Sequence, residues 1–340
     1  MRRRDRPATM EDVAARAGVS RALVSIVYRD APGASDATRA RVLQAGADLG
    51  YRPDHRARLL GRQRTRLLGV TFDVPHSFHG DLIEALYSAA EPTGYDLALS
   101  AVAPSRDESR AVQSLLEYRC EALILLGPQL RPSAIAELGA IQPTIVVARK
   151  VRAAGVDVVR TDDADGLRQA VEHLVRLGHR DIVHVDGGTA PGAAERRAGY
   201  RNAMRRAGLI PRIIRGGAGE EDGAAAARRV LADSAGTTAA AVFNDRSAMG
   251  FLDVIRGAGQ RVPDDISVIG YDNSSIARMA HVNLTTIAQN ARQLAIVAIE
   301  QAVRRLSGAP PSTEKIVAPT LMSRCTTGAA PAESTDLTGG

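Results

Sequence analysis

Apolar residues in the first fifty positions recur at intervals of three and four, the period of helices that bury one face. Thr9 can cap a first helix, Gly18 supplies a permissive turn, and Ser20 can cap a second helix over residues 21–28. A third helix is expected over 36–49. Three of its residues are predicted to close a small three-helix core: Val42, Leu43 and Ala47.

The second helix separates an apolar side from a polar one. Val24, Val27 and Tyr28 fall at i, i+3 and i+4 and are predicted to pack inward. The opposite side carries Arg21, Ala22, Ser25, Ile26 and Arg29. A helix-turn-helix presents such a side to the major groove, but the same pattern occurs in proteins that bind no DNA. The spacing alone therefore leaves nucleic-acid binding open.

The positive charge of the chain is confined to its first fifth. Residues 1–66 contain 15 Arg, no Lys and 7 acidic residues, a net charge of +8. The other 274 residues carry 29 basic and 31 acidic residues, a net charge of −2. A basic patch on one small module is the electrostatic footprint expected for contact with nucleic-acid phosphates. The charge distribution thus favours DNA binding by this module.

From residue 67 the pattern changes to short apolar runs that alternate with segments of helix length. The runs are 67–74, 95–102, 120–127, 143–148, 181–186, 239–243 and 266–271. Continuous apolar strands alternating with helices predict parallel sheets that are covered on both faces. Two doubly wound α/β subdomains fit this pattern better than one sheet, and a TIM barrel, which needs eight units, is the alternative.

These patterns divide the chain into four parts: an all-α helix-turn-helix module (1–53), a short basic segment (54–66), a core (67–328) and a tail expected to be disordered (329–340). Within the core, the first subdomain is expected at about 67–161 plus 291–320 and the second at about 162–290 plus 321–328. The residues alone favour a linker for the start of the basic segment, because so short a helix is marginal in isolation.

Polar residues follow the predicted strands, where ligands bind in open α/β sheets, and they suit hydroxyl groups or an anionic group. No Ser/His/Asp order, P-loop, dinucleotide motif or metal-ligand spacing occurs among them, and the two cysteines lie far apart. We therefore expect no enzyme, no cofactor and no metal site. The basic start precedes no apolar segment and no run reaches membrane-spanning length, so a cytoplasmic protein is expected.

The order of sequence blocks resembles that of the LacI/GalR family of bacterial transcription regulators. The family's DNA-binding signature is similar to TMEDVAARAGVSRALVS, and its hinge and first strand are similar to RARLLGRQRTRLLGV. Its ligand-binding core resembles LVRLGHRDIVHVDGG, ERRAGYRNAMRRAGL, FNDRSAMGFLDVIRGAGQRVPDDISVIGYD and LTTI. The resemblance implies a homodimer that binds a near-palindromic operator in double-stranded DNA. It also implies a core like periplasmic sugar-binding proteins, controlled by a small polar effector such as a sugar.

The resemblance assigns roles in DNA binding. Ser20 and Ser25 are expected at phosphates and Arg21, Ala22 and Ile26 at base edges, with Thr9, Arg29 and Arg56 also on the DNA-facing side. Many members have Arg where this chain has Ile26, so the usual bidentate guanine contact is missing there and falls to Arg21. Arg56 stands where the hinge often has a small or apolar residue, and it either adds charge toward DNA or packs badly.

The resemblance also assigns effector contacts to the cleft between the subdomains. The matching positions are Arg196, Asn244 and Asp272, with Asp73, Phe78 and Arg149 added by analogy. Ala148 replaces an Asp that many members have, which removes one hydroxyl partner. Three alternatives stay open: Arg196 and Asp272 form a structural ion pair between the cleft walls, the effector is a nucleoside or sugar phosphate, or the core is a solute-binding module with a DNA tether.

By the same resemblance, the linker interpretation of the basic segment gives way to a hinge helix whose Leu60 wedges into the minor groove. We expect Leu60→Ala to weaken operator binding far more than non-specific binding, because the alanine methyl is too short to part a base step. Titration of operator and scrambled duplexes at one salt concentration measures both affinities. Arg62→Ala is the control and should weaken both equally; the same outcome for Leu60→Ala would contradict the wedge role.

Overall fold

The computed structural model describes residues 8–51, 64–233, 236–312 and 314–331. The chain divides into two compact units, residues 1–65 and residues 66–340. The predicted hinge residues Arg56 and Leu60 lie outside the described residues.

The first unit contains three helices: α1 (Met10–Ala17), α2 (Arg21–Tyr28) and α3 (Asp36–Asp48). Thr9 and Asp12 form a capping box at the start of α1, in which the Thr9 N–H donates to Asp12 Oδ2 at 2.8 Å and the Asp12 N–H donates to Thr9 Oγ1 at 3.3 Å. Gly18 ends α1 with a φ of 66°, a conformation that costs glycine little. The predicted helix-turn-helix is confirmed.

The core of this unit differs from the prediction on α3. Val42 is fully buried as expected, but Leu43 is 50% exposed and Ala47 is also exposed. The buried side of α3 is continued by Ala45 and Gly46, at i+3 and i+4 from Val42. Leu43 and Ala47 lie one step around the helix from this side, so the prediction that they close the core is wrong.

The strands of the second unit form two sheets. In chain order they are β1 (Leu67–Asp73), β2 (Asp96–Val102), β3 (Ala122–Leu126), β4 (Thr144–Val147), β5 (Val156–Thr161), β6 (Ile182–Val185), β7 (Arg212–Ile214), β8 (Ala239–Val242), β9 (Ser267–Asp272), β10 (Thr285–Ala288), β11 (Lys315–Val317) and β12 (Thr320–Met322). The first sheet has the order β11-β5-β4-β3-β1-β2 and the second β12-β10-β9-β8-β6-β7. Only the β10–β12 pair is antiparallel among these pairings.

The helices of this unit are α4 (Ser77–Ala90), α5 (Glu108–Glu117), α6 (Pro132–Ile141), α7 (Asp163–Arg176), α8 (Ala193–Arg206), α9 (Glu220–Ala232), α10 (Asp245–Gly257) and α11 (Ala291–Leu306). Separate apolar clusters lie on the two faces of each sheet. In both sheets the first strand lies between the second and the third, as in doubly wound folds. The predicted pair of doubly wound subdomains is confirmed, and the barrel alternative is wrong because the strands form two open sheets.

The chain passes between the two sheets after Thr161, after Ala288 and between β11 and β12. Thr320 pairs with Ala288 in the second sheet, so it lies beyond the first subdomain, to which the sequence assigned it. Part of the expected disordered tail is also ordered, since the Ala330 N–H donates to the carbonyl oxygen of Leu177 at 2.8 Å. Residues 332–340 lie outside the described part.

Helices α9 and α10 approach each other closely at two glycines. A Cβ on Gly223 would lie 1.8 Å from the carbonyl oxygen of Ser247, and a Cβ on Gly250 would lie 1.8 Å from that of Glu220. The two contacts are reciprocal, because each helix supplies one glycine and one facing carbonyl. The packing of the second subdomain therefore depends on the absence of a side chain at both positions.

His184 lies on β6, is fully buried, and has its Nδ1 2.8 Å from the carbonyl oxygen of Ala241. Burial lowers the pKa of His184 to about 4, so the ring is neutral in the folded protein at pH 7. The unfolded pKa is about 6.5, so between these values the unfolded chain binds more protons and folding loses stability as the pH falls.

We expect protonation of His184 in the unfolded chain to lower the free energy of unfolding by about 2 kcal/mol between pH 7 and pH 5. Urea titrations of the wild type and of His184→Asn at both pH values measure this contribution, because asparagine keeps a donor for Ala241 and does not titrate. Buried acids such as Asp245 act in the opposite direction but are present in both proteins and cancel. An equal pH dependence in the two proteins would contradict the assignment.

Candidate DNA-binding and effector sites

The exposed side of α2 begins at the Ser20 cap and continues to Arg29. Ser20 begins the helix, with its Oγ accepting from the Leu23 N–H at 3.2 Å. Arg21, Ala22 and Arg29 are exposed, and Nε of Arg29 donates to the carbonyl oxygen of Ser25 at 3.0 Å. These residues share one exposed surface at the amino-terminal turn and along the helix, which suits insertion into a groove.

Ile26 is less available than the sequence suggested. It is half-buried, and its Cδ1 lies 3.8 Å from the point where a Cβ on Gly33 would be. Its carbonyl oxygen accepts from the Ala31 N–H at 3.1 Å, which folds the loop after α2 back onto the helix. Ile26 thus contributes to packing of this loop as well as to the outward surface.

Arg196 is the centre of the candidate effector site. It lies in α8, is 5% exposed, and donates from Nε to Asp163 Oδ1 at 2.8 Å and from Nη1 to the carbonyl oxygen of Phe243 at 2.7 Å. Its guanidinium carbon lies 3.6 Å from the centre of the Tyr271 ring. Asp163 can approach α8 because Gly192, with a φ of 81°, has no side chain facing its carboxylate. The guanidinium is therefore fixed by a carboxylate, a carbonyl oxygen and an aromatic ring.

Asp272 ends β9 beside this arginine. Its Oδ1 lies 3.8 Å from Nη2 of Arg196 and accepts from Nε2 of Gln289 at 2.7 Å. Its Oδ2 is buried and has no partner among the described residues. Burial raises the pKa of Asp272 well above its usual range, and the charge of Arg196 opposes that rise. The unpartnered oxygen is an acceptor suited to a hydroxyl group of a ligand.

The ion pair of Arg196 with Asp272, one of the alternatives left open by the sequence, is present at 3.8 Å but is not the shortest one that Arg196 makes. Its short contact is with Asp163, and all of these groups belong to the second subdomain rather than to opposite walls of the cleft. Asn244 is also buried, because it caps α10 by accepting from the Ser247 N–H at 2.8 Å and donates to the carbonyl oxygen of Ala218 at 3.2 Å.

The first subdomain supplies Asp73 and Arg149 to two cavities at the carboxyl ends of its strands. Asp73 lines one of about 420 Å³ with Glu108. Arg149 lines one of about 390 Å³ with Lys150 and with residues 189–192 of the second subdomain. Nη1 of Arg149 also donates to the carbonyl oxygens of Pro128 and Leu130 at 2.5 and 2.8 Å.

Phe78 does not line the cleft. It is 2% exposed and packs in the apolar cluster between α4 and the first sheet, with Leu82 and Leu86. These three residues recur every four positions, which is the buried stripe of the helix. The assignment of Phe78 to the effector site is wrong for this physical reason.

The two subdomains touch across the cleft through charged and polar groups. Nη1 of Arg246 donates to the carbonyl oxygen of Pro75 at 2.7 Å, and Nη2 of Arg278 donates to Asp81 Oδ1 at 3.0 Å. An exposed ion pair such as Arg278–Asp81 contributes only about 0.2–1 kcal/mol.

The effector contacts assigned from the sequence did not include several groups around Arg196. These groups are Asp163, Asp245, Tyr271 and Gln289, all of which are buried. Burial raises the pKa of Asp245 to about 6, against hydrogen bonds from Thr286 and Ser274. A signal existed for Asp163, which follows the strand-ending Thr161 at the start of a helix. Gln289 is far from Arg196 in the sequence, and no local pattern indicated its role.

In the part of the chain that the structure describes, no group of His, Cys, Asp and Glu side chains has the arrangement of a metal site. Each helix in that part is too short or too polar to traverse a lipid bilayer.

Comparison with known proteins identifies the family. The family of bacterial regulatory proteins, lacI family, matches residues 9–54, and the periplasmic binding protein-like domain matches residues 171–327. The HTH-type transcriptional regulator GalR of Salmonella typhimurium is 32% identical over 326 residues, which cover 93% of this chain and 95% of that protein.

Two solved structures are similar to this chain over different shares of its length. A LacI transcriptional regulator from a Rhodococcus species is 46% identical with a TM-score of 0.77, covering 78% of this chain and 100% of that one. The lac repressor dimer bound to operator and the anti-inducer ONPF is 29% identical with a TM-score of 0.79, covering 95% and 100%. With its helix-turn-helix module and its pair of doubly wound subdomains, the chain belongs to the LacI/GalR family of DNA-binding transcription regulators.

Proposed function

We propose that the chain is a repressor that binds a near-palindromic operator as a homodimer and responds to a small polar effector in the cleft. The observation that carries this proposal is the joining of a basic helix-turn-helix module to a core with polar groups at the carboxyl ends of two facing sheets. A two-fold symmetric dimer would present two copies of α2 to successive major grooves. The similar lac repressor structure holds both an operator and a small ligand, which supports the same arrangement here.

A neutral sugar fits the groups around Arg196. The unpartnered Oδ2 of Asp272 can form a hydrogen bond with a ligand hydroxyl. The rings of Tyr271 and Phe243 already lie against the Arg196 guanidinium, so hydrogen bonds rather than stacking would hold the ligand. Effector binding would act by favouring one arrangement of the two subdomains over another, since a ligand shifts an equilibrium only by its difference in affinity for the two states.

An anionic effector is the second candidate, and one observation favours it. Arg149 and Lys150 line the same cavity of about 390 Å³ together with one acidic residue, Glu195, and this excess of positive charge suits a nucleoside phosphate or a sugar phosphate. Thermal-shift screening of neutral sugars against their phosphates separates the two candidates. A ligand at a hundred times its dissociation constant stabilises the folded state by about 2.7 kcal/mol.

The experiment for DNA binding is a mobility-shift titration with the DNA upstream of the protein's own gene. We expect a specific shift at low salt that the effector found by the thermal screen alters. Absence of any shift at low salt would overturn the proposal. A shift that no effector changes would keep DNA binding and reject effector control.

A further inference from the structure

An exposed acidic residue of α1 lies beside the first residue of α2 in the basic module. Glu11 is in the first turn of α1, and its Oε1 lies 3.2 Å from Nε of Arg21, the first residue of α2. The two side chains are 63% and 70% exposed. Among the residues that the structure describes, Nη1 and Nη2 of Arg21 make no hydrogen bond. The guanidinium is thus contacted at one edge and open at its end.

Stability does not account for this pair. An ion pair as exposed as this one contributes about 0.2–1 kcal/mol to folding. The negative charge of Glu11 also opposes the approach of DNA phosphates, against the net charge of the module. Because Glu11 adds little to folding and weakens non-specific attraction to DNA, we look for its role in its contact with Arg21.

The geometry points to a role in base recognition. Arginine reads guanine by donating two parallel hydrogen bonds to O6 and N7, which requires one edge of the guanidinium to face the base. Contact at Nε leaves the Nη1 and Nη2 pair for such a bond. Without that contact, the long side chain can turn toward phosphates, which carry no sequence information.

We propose that Glu11 is a positioning residue that holds Arg21 for bidentate reading of a guanine and keeps it from the phosphates. The surroundings leave this task to Arg21, because Ile26 has no donor and partly packs against the loop at Gly33. Glu11 therefore lowers the total affinity for DNA and raises the discrimination between bases. The inference rests on the proposed operator binding and specifies how one base of the operator is selected.

The test begins with selection of binding sites by the wild-type protein from duplexes with randomised, symmetric half-sites. We expect a consensus with a guanine at one position whose preference disappears in Arg21→Ala. Affinities for the consensus, and for the same duplex with that guanine pair replaced by an adenine pair, then give a discrimination ratio. Failure of the wild type to enrich any consensus would reject the proposed function itself, separately from the role of Glu11.

Glu11→Gln is expected to lower this ratio about tenfold, as the loss of an oriented bidentate contact would. It should also raise the affinity for scrambled DNA. Glu11→Asp, which keeps the carboxylate on a shorter chain, should recover part of the discrimination. In an Arg21→Ala background, Glu11→Gln should leave the ratio at that position unchanged, because the two residues act as one unit.

The control is Asp36→Asn, which removes one negative charge from the same module at the start of α3. It should raise the affinity for all duplexes by one factor and leave the ratio unchanged. If Glu11→Gln behaves in the same way, Glu11 acts only through its charge and the positioning role is overturned. Thermal unfolding of each variant shows whether the module remains folded.

Discussion

Replacing Arg196 with alanine is expected to lower the free energy of unfolding of the core by about 3–5 kcal/mol and to remove effector-induced stabilisation. The substitution leaves Asp163 and Asp272 buried without their compensating charge, and the carbonyl oxygen of Phe243 loses its donor. Arg196→Lys should recover only part of the stability, because one ammonium group cannot reach three acceptors arranged around a planar guanidinium.

Urea titration of the wild type and both variants measures this effect, and a thermal shift with the screened effector measures ligand response. Arg201→Ala is the matched control, since Arg201 is exposed on the same helix and its loss should change stability by less than about 0.5 kcal/mol. An Arg196→Ala protein with wild-type stability and effector response would show that the buried network is not what holds this site.

Gly250→Ala is expected to destabilise the core by about 3 kcal/mol. The new methyl group would collide with the backbone carbonyl of Glu220, so α9 and α10 must separate along their contact. Gly257→Ala on the same helix has nothing within 4 Å of the added carbon and should raise stability by about 0.5–1 kcal/mol. Denaturant unfolding of the two variants and the wild type measures both changes in the free energy of unfolding.

The comparison of the two glycines is sharp because their chemical change is identical. Destabilisation of equal size at Gly250 and Gly257 would indicate a general effect of alanine on α10 rather than a steric one. A small effect at Gly250 would mean that the two helices can move apart without disturbing the sheet behind them.

Helix caps and continuous apolar strands were predictable because their signals are local. Thr9 and Ser20 lie within three residues of the groups they cap, and β3 and β4 are apolar throughout. Strand β5 was missed because Asp157 interrupts its apolar pattern. That aspartate is fully buried through bonds from Arg304 and Arg305 at 2.9 and 2.7 Å. Partners almost 150 residues away leave no trace in a local pattern.

The candidate site shows the same difference between local signals, which were predictable, and contacts that depend on tertiary packing, which were not. Arg196 and Asp272 were named from strand ends and family resemblance, but the choice of Asp163 as partner depends on how α7 and α8 pack. Phe78 could have been excluded by its own spacing with Leu82 and Leu86, which marks a buried stripe. The pairing of Glu11 with Arg21 depends on the angle between α1 and α2, which the turn at Gly18 determines only when the tertiary contacts are present.

The crossing segments behind the cleft are tied to one another. Oγ1 of Thr161 donates to the backbone and side-chain oxygens of Gln289 at 3.2 Å, and Gln289 in turn donates to Asp272. A ligand hydroxyl bound to Oδ2 of Asp272 would therefore extend the short chain of hydrogen bonds that joins two of the crossing segments, because Gln289 occupies only Oδ1 of the same carboxyl group. A ligand bound at Asp272 would thus be connected by hydrogen bonds to the segments that join the two subdomains.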